Sequence, residues 1–130
     1  MPFDPKDFLT LAKNLCNDVN YNNESAFRTC ISRAYYSSFL VARTFLETRH
    51  HMPIPHGPIA HKKVVQGLRK RNVLRTLIGS YHSRHIVADI LKELRVLGRN
   101  KADYDLAVYF PRRSASYWIR QAEAVMRAIP

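Results

Sequence analysis

The sequence predicts an all-α fold, a four- to five-helix up-and-down bundle formed as a single domain over residues 1–130. Three observations predict it. Apolar residues recur at helical three- and four-residue spacing through most of the chain, and no stretch alternates with the two-residue period of a strand. Only four glycines are present, and strong helix formers and aromatics dominate. Hydrophobic residues make up 46% of the 130 residues, enough for one domain to bury a core without metals or disulfides.

The first helix is expected from Asp4 to Val19. Asp4 caps it, and Pro5 sits in the first turn, where its missing N–H is not needed. Phe8, Leu11, Ala12, Leu15 and Val19 make its apolar stripe. The Asn-rich stretch Asn17 to Asn23 reads as a turn. The second helix, from Asn23–Glu24 to about Thr48, is the clearest element. Phe27, Cys30, Ile31, Ala34, Tyr35, Ser38, Val41, Ala42 and Phe45 recur along one face. Ala34, Ser37, Ser38 and Ala42 are small enough to admit a neighbouring helix, so this is the expected centre of the bundle. Met52 to Pro58 holds three prolines and a glycine and must be a loop. A short helix follows from Ile59 to Lys70, with Val64, Val65 and Leu68 inward. Asn72 is the expected cap of the next stretch, in which Val73, Leu74, Leu77, Ile78 and Tyr81 face the core. From Ile86 to Leu97 the stripe is Ile86, Val87, Ile90, Leu91, Leu94 and Leu97, and Gly98 is the natural C-cap. Residues 98–113 read as irregular. The last helix runs from about Ser114 to Ala128 and buries Trp118, Ala122, Val125 and Ile129.

Charge is the first functional clue. Twenty-one Lys and Arg against ten Asp and Glu give a net charge of +11, a field that concentrates phosphate polyanions. Nucleic acid, a nucleotide, an acidic protein or an anionic membrane surface could use it. No helix joins a strongly basic face to a clean apolar one, which disfavours the membrane surface. No apolar run is long enough to span a bilayer, and the first residues do not read as a signal peptide. Cys16 and Cys30 lie in helical patterns as small buried hydrophobes, and no Cys/His spacing suggests zinc. A cytoplasmic protein with reduced thiols and no metal or cofactor is expected.

Catalytic triads, phosphate-binding glycine loops and paired carboxylates are absent. Chemistry, if present, falls to Arg, His, Tyr and Lys. Such groups can cleave RNA without a metal: an Arg stabilises charge building on the phosphorane, and a His moves protons at the 2′-hydroxyl or the leaving oxygen.

Three segments carry a resemblance. Ser32-Arg33-Ala34-Tyr35-Tyr36-Ser37-Ser38-Phe39, on the central helix, resembles the Arg-Ala-Tyr-Tyr-x-x-Phe signature of HEPN domains. His61-Lys62-Lys63-Val64 resembles the His-Lys-x-Val segment of small prokaryotic HEPN proteins, often encoded beside a minimal nucleotidyltransferase. Arg99-Asn100-Lys101-Ala102-Asp103-Tyr104-Asp105 resembles their Arg-x-x-Ala-Asp-Tyr-Asp segment. The matches fall in the expected order over most of the chain. The resemblance implies a helical bundle, a homodimer with its cleft at the interface, and RNA or nucleotide as ligand. Many members are metal-independent ribonucleases, toxins or defence effectors, with an Arg followed after four to six residues by a His. Here Arg99 starts that pattern and Tyr104 stands where four intervening residues would place the His. Tyrosine, with a pKa near 10, is a poor base at neutral pH. Two functions therefore stay open: a ribonuclease-like toxin or defence component, and a non-catalytic dimeric module that binds RNA or nucleotide or docks onto a nucleotidyltransferase.

On the first reading Arg99 binds the scissile phosphate, Tyr104 fills the His position, and His61 or Asp103 supports it. Two Arg99 residues facing across a two-fold axis would make a composite site. A structural alternative pairs Asp103 with an Arg and makes Tyr104 a half-buried loop anchor. Arg112 and Arg113, with Lys101, Lys62 and Arg33, are the candidate nucleic-acid-binding residues. His61, at a helix start, is expected to be neutral because the macrodipole disfavours its cation. Arg75 and His82 have a permitted Arg-x6-His spacing, but Gly79-Ser80 breaks the helix between them, so a basic surface cluster is the expectation there. Arg69-Lys70-Arg71 reads as a solvated run. His50, His51 and His56 form neither a metal cluster nor a base. Tyr35 and Tyr36 point apart, so one of them is free to line the cleft.

Overall fold

The computed structural model describes residues 3–130. Among them the architecture is all-helical, a bundle arranged around one long helix. Helix α1 (Lys6–Asn17) starts behind Asp4, whose Oδ1 accepts from the Lys6 N–H at 2.9 Å. A 3-10 turn at Val19–Tyr21 leads to α2 (Glu24–Arg49), 26 residues long. Asn23 caps α2, its side-chain oxygen accepting from the Ala26 N–H at 2.9 Å. Helix α3 (Ile59–Leu68) follows the proline loop. Two single-turn helices, α4 (Arg71–Leu74) and α5 (Tyr81–His85), lead into α6 (Val87–Glu93). The last long helix is α8 (Arg112–Ala128).

Helices α1 and α8 pack most extensively on α2, and α3 lies against both α2 and α6. Ala34, Ser37, Ser38 and Ala42 are all fully buried, which is how neighbouring backbones come close to α2. The buried hydroxyls are satisfied: Ser37 Oγ donates to the Pro5 carbonyl at 2.7 Å and Ser38 Oγ to the Tyr35 carbonyl at 2.8 Å. Ile31, Leu46, Val64, Leu68, Leu94 and Val125 fill the core at 0% exposure. Each contributes about 1.5–3 kcal/mol by leaving water. Arg43 fastens the proline loop from below, donating to the Ile54 carbonyl at 2.7 Å while paired with Glu47.

The structure departs from the sequence reading around Gly98. The helix does not stop there. After α6 it widens into a π-helical turn at Leu94–Arg99, in which the Asn100 N–H reaches back to the Arg95 carbonyl, and continues as α7 (Asn100–Tyr104). Gly98 serves close approach, not a left-handed cap: a Cβ there would lie 3.1 Å from the Trp118 ring and 3.4 Å from Ile31. Ile78 and Tyr81, expected inside, are exposed, as are Leu11, Val19 and Leu97. Ile78, Tyr81, Val19 and Leu97 sit at segment ends or on turns, where the helical phase that predicted their burial does not carry through, whereas Leu11 lies in the middle of α1 on its solvent side. Cys16 and Cys30 are free and buried, and burial, with Cys16 beside it, pushes the Cys30 thiol up to about 12.

Candidate functional site

The functional candidates gather where the π-helical turn and α7 cross α2. Ser32 and Tyr36 are four residues apart on α2 and share a face; Arg99 and Asp103 are four apart across the crossing helix. The two pairs interlock. Tyr36 Oη accepts from Arg99 Nη2 at 2.6 Å, and Ser32 Oγ donates to Asp103 Oδ2 at 3.1 Å. Arg99 Nη1 donates to Asn100 Oδ1 at 3.0 Å. Arg99 Nε lies 3.1 Å from Asp103 Oδ2, but its N–H is not aligned on that oxygen and is buried without a hydrogen-bond partner. The contact is thus an ion pair without a hydrogen bond. The Arg99 guanidinium also faces the rings of Tyr36 at 5.1 Å and Tyr104 at 5.5 Å. Two of its five N–H groups are used in hydrogen bonds and the Nε–H is buried, which leaves two guanidinium N–H groups on a side chain that is 14% exposed.

The other tyrosine of the pair bonds to α3, although the two rings, expected to point apart, stay in edge contact at 5.5 Å. Tyr35 is 1% exposed, and its hydroxyl meets Nδ1 of His61 on α3 in a short hydrogen bond. Burial pushes the Tyr35 phenol above its ordinary value, so it keeps its proton. Its hydroxyl has no other hydrogen-bond partner among the described residues, so donation to Nδ1 is the tautomer assignment that leaves no buried O–H unpaired. Burial first, then the Arg95 and Arg99 guanidiniums, lower His61 to about 4. His61 is therefore neutral at pH 7, with its lone pair on Nδ1 taken by Tyr35 and its N–H on Nε2. Here it is a hydrogen-bond donor, not a free base.

His61 opens onto a cavity of about 360 Å³ with Tyr35, Val65 and Leu91 supplying apolar wall and Lys62, Lys92 and Arg95 supplying charge. Arg95 lies in the same π-helical turn as Arg99, and its Nε is buried without a partner.

Of the remaining candidates, Tyr104, Lys62 and Arg33 border this network. Tyr104 is 71% exposed, which removes the half-buried-anchor alternative, whereas Asp103 does pair with an arginine. Lys62 lines the cavity. Arg33 lies over Tyr36 and Phe8 at 5.1 and 5.2 Å. Arg112 is turned toward Asn22 and the Phe27 ring, away from Arg99. Arg113 is exposed. The Lys101 carbonyl accepts from Arg28. Arg28 is the residue that sequence reasoning missed: its guanidinium also bonds the carbonyls of Ala102, Asp105 and Val108 and pairs with Glu24. It ties the whole 101–108 segment to α2.

Among the described residues no group of three His, Cys, Asp or Glu could hold a metal ion, and no helix is long and apolar enough to cross a membrane. No family model matches the chain, and no curated protein or solved structure matches it.

Proposed function

We propose that the chain is a HEPN-type RNA-acting domain, working in the cytoplasm as a homodimer and as a metal-independent ribonuclease of a toxin or defence system. One observation carries the reading. The three segments that resemble HEPN motifs lie far apart in sequence, yet they meet through side chains: His61 bonds Tyr35, Arg99 bonds Tyr36, and Asp103 bonds Ser32. The chain carries a net charge of +11, and Arg99 keeps two guanidinium N–H groups outside its hydrogen bonds.

In this role Arg99 binds the phosphate and stabilises the charge that develops as the 2′-oxygen, its proton passing to water, attacks phosphorus and the 5′-oxygen departs with a proton drawn from Tyr104 or water. Asp103, fixed by Ser32, orients Arg99. Tyr104 donates to a phosphate or leaving oxygen, and the His61 Nε2–H adds a neutral donor beside Arg95.

A second reading, a dimeric module that binds RNA or nucleotide without cutting or docks onto a nucleotidyltransferase, is favoured by two observations. The cluster offers no free neutral base, since the His61 lone pair is occupied. The segment after Arg99 also exposes Tyr104 at 71%, Leu106 at 87% and Tyr109 at 71%, an apolar run suited to a protein partner.

Incubation of an end-labelled RNA pool in EDTA with the parent and with Arg99→Ala separates the readings. Cleavage by the parent alone establishes the nuclease. Binding without cleavage by the parent establishes the module. Absence of RNA binding removes both RNA readings.

A further inference from the structure

We propose that a single strand of RNA leaves the Arg99 cluster along a cationic track over α3 to α6, with Tyr81 and His85 as a base-stacking platform at its far end. The inference rests on the RNA-acting reading and adds the path of the substrate.

Two adjoining cavities form the track. The first is the cavity of about 360 Å³ beside His61 and Arg95. The second, about 420 Å³, is lined by Arg69, Arg71, Arg75, Arg84, Tyr81 and His85. Arg69 lines both, so they abut at its side chain. Among the described residues neither lining contains a carboxylate. Arg69 is paired, with the exposed Asp89 at 2.6 Å. Among the described residues Arg71, Arg75, Arg84, Lys62, Lys92 and Arg95 pair with no carboxylate. Cations gathered around two concave surfaces repel one another until a polyanion neutralises them, and a chain of spaced phosphates does so with release of its counterions.

The aromatic pair specifies the kind of polyanion. Tyr81 is 72% exposed, and its ring centroid lies 3.9 Å from that of His85. His85 is oriented by its Nδ1, which meets the Tyr81 carbonyl at 2.7 Å. The platform is built into the turn before it: Ser80 caps α5 by accepting from the Ser83 N–H, and Gly79 holds φ +123°. An exposed ring set against an imidazole at a tilt of 32° among arginines suits the face of an unpaired base on its open side. Pocket-sized cavities beside such a ring fit splayed-out bases of a single strand rather than the paired bases of a duplex.

The test is a salt titration of the affinity for a short labelled single-stranded RNA. The triple variant Arg71→Gln/Arg75→Gln/Arg84→Gln is compared with a charge-matched control outside both cavities, Lys6→Gln/Arg49→Gln/Arg120→Gln, with thermal melts confirming that each folds. Each phosphate that the protein neutralises on a single strand adds about 0.7 to the steepness of log affinity against log salt. The track variant is expected to be shallower than the parent by about 2, and the control by less than about 1. Tyr81→Ala is expected to weaken single-strand binding about tenfold and leave duplex binding unchanged. Equal slopes for the track variant and the control, with RNA still bound by the parent, overturn the track and leave the RNA-acting reading standing. Failure of the parent itself to bind single-stranded RNA overturns both.

Discussion

Replacing Arg28 by methionine should unfasten the segment that follows the Arg99 cluster. The thioether keeps part of the apolar stem but removes the charged donors and the guanidinium that lies over the Phe110 ring at 5.1 Å. Those donors serve the carbonyls of Lys101, Ala102, Asp105 and Val108. Hydrogen bonds from a charged donor contribute about 1.5–3 kcal/mol each at full strength. The four cannot all reach it, because Nη1 has two hydrogens for three carbonyls. The Arg28 side chain is 16% exposed, so water will reach some of the freed oxygens. Glu24 is 38% exposed and loses little when unpaired. The expected net loss is about 2–3 kcal/mol. Urea unfolding should show it as a lower midpoint with an unchanged slope, and hydrogen exchange should quicken most in residues 101–110. A loss below about 0.5 kcal/mol, or exchange unchanged in that segment, would show that the Arg28 bonds do not hold it.

Three further outcomes are expected. His61 has a folded pKa of about 4, below its ordinary value, so the unfolded chain takes up the proton first. Its contribution is present above about pH 6.5 and is lost as pH falls toward 4, amounting to about 1–2 kcal/mol once screening at the cavity mouth is allowed for. Denaturation curves across that window should flatten in His61→Gln. Tyr35→Phe removes the donor to His61 Nδ1 and should cost about 1 kcal/mol, with nitrogen NMR of His61 showing that Nδ1 is no longer held as an acceptor. Gly79→Ala puts a Cβ 2.4 Å from Ser83 Oγ at φ +123°. It should lower the melting temperature by an amount equivalent to about 1–2 kcal/mol.

The helical class, the position of α2 and the breaker at Met52–Pro58 were legible because periodicity and proline chemistry are local. The ends of α1, α2, α3 and α8 fell within about two residues of expectation for the same reason. Gly98 misled because glycine has two uses that look alike in sequence: it ends helices by adopting positive φ, and it admits a neighbour by lacking Cβ. Only the position of Trp118, supplied by α8, decides between them. That single misreading hid α7 and with it Arg95, which shares a turn with Arg99. The roles of Arg28 and Arg43 were hidden for a related reason. Both belong to a chain whose positive excess points to polyanions, yet each directs its charge at backbone carbonyls of a loop distant in sequence. The contacts of Ser32, Tyr36, Arg99 and Asp103 likewise depend on the register of two crossing helices, which periodicity leaves open.

RNA is proposed to meet the protein at the Arg99 cluster. Photocrosslinking of 4-thiouridine RNA to the full chain, with the attached peptides mapped by mass spectrometry, tests that most directly. Crosslinks are expected at Tyr104, at Tyr36 and in the segment bearing His61, abolished or redistributed in Arg99→Ala. Crosslinks confined to α1 and α8, or a pattern indifferent to Arg99→Ala, would contradict it.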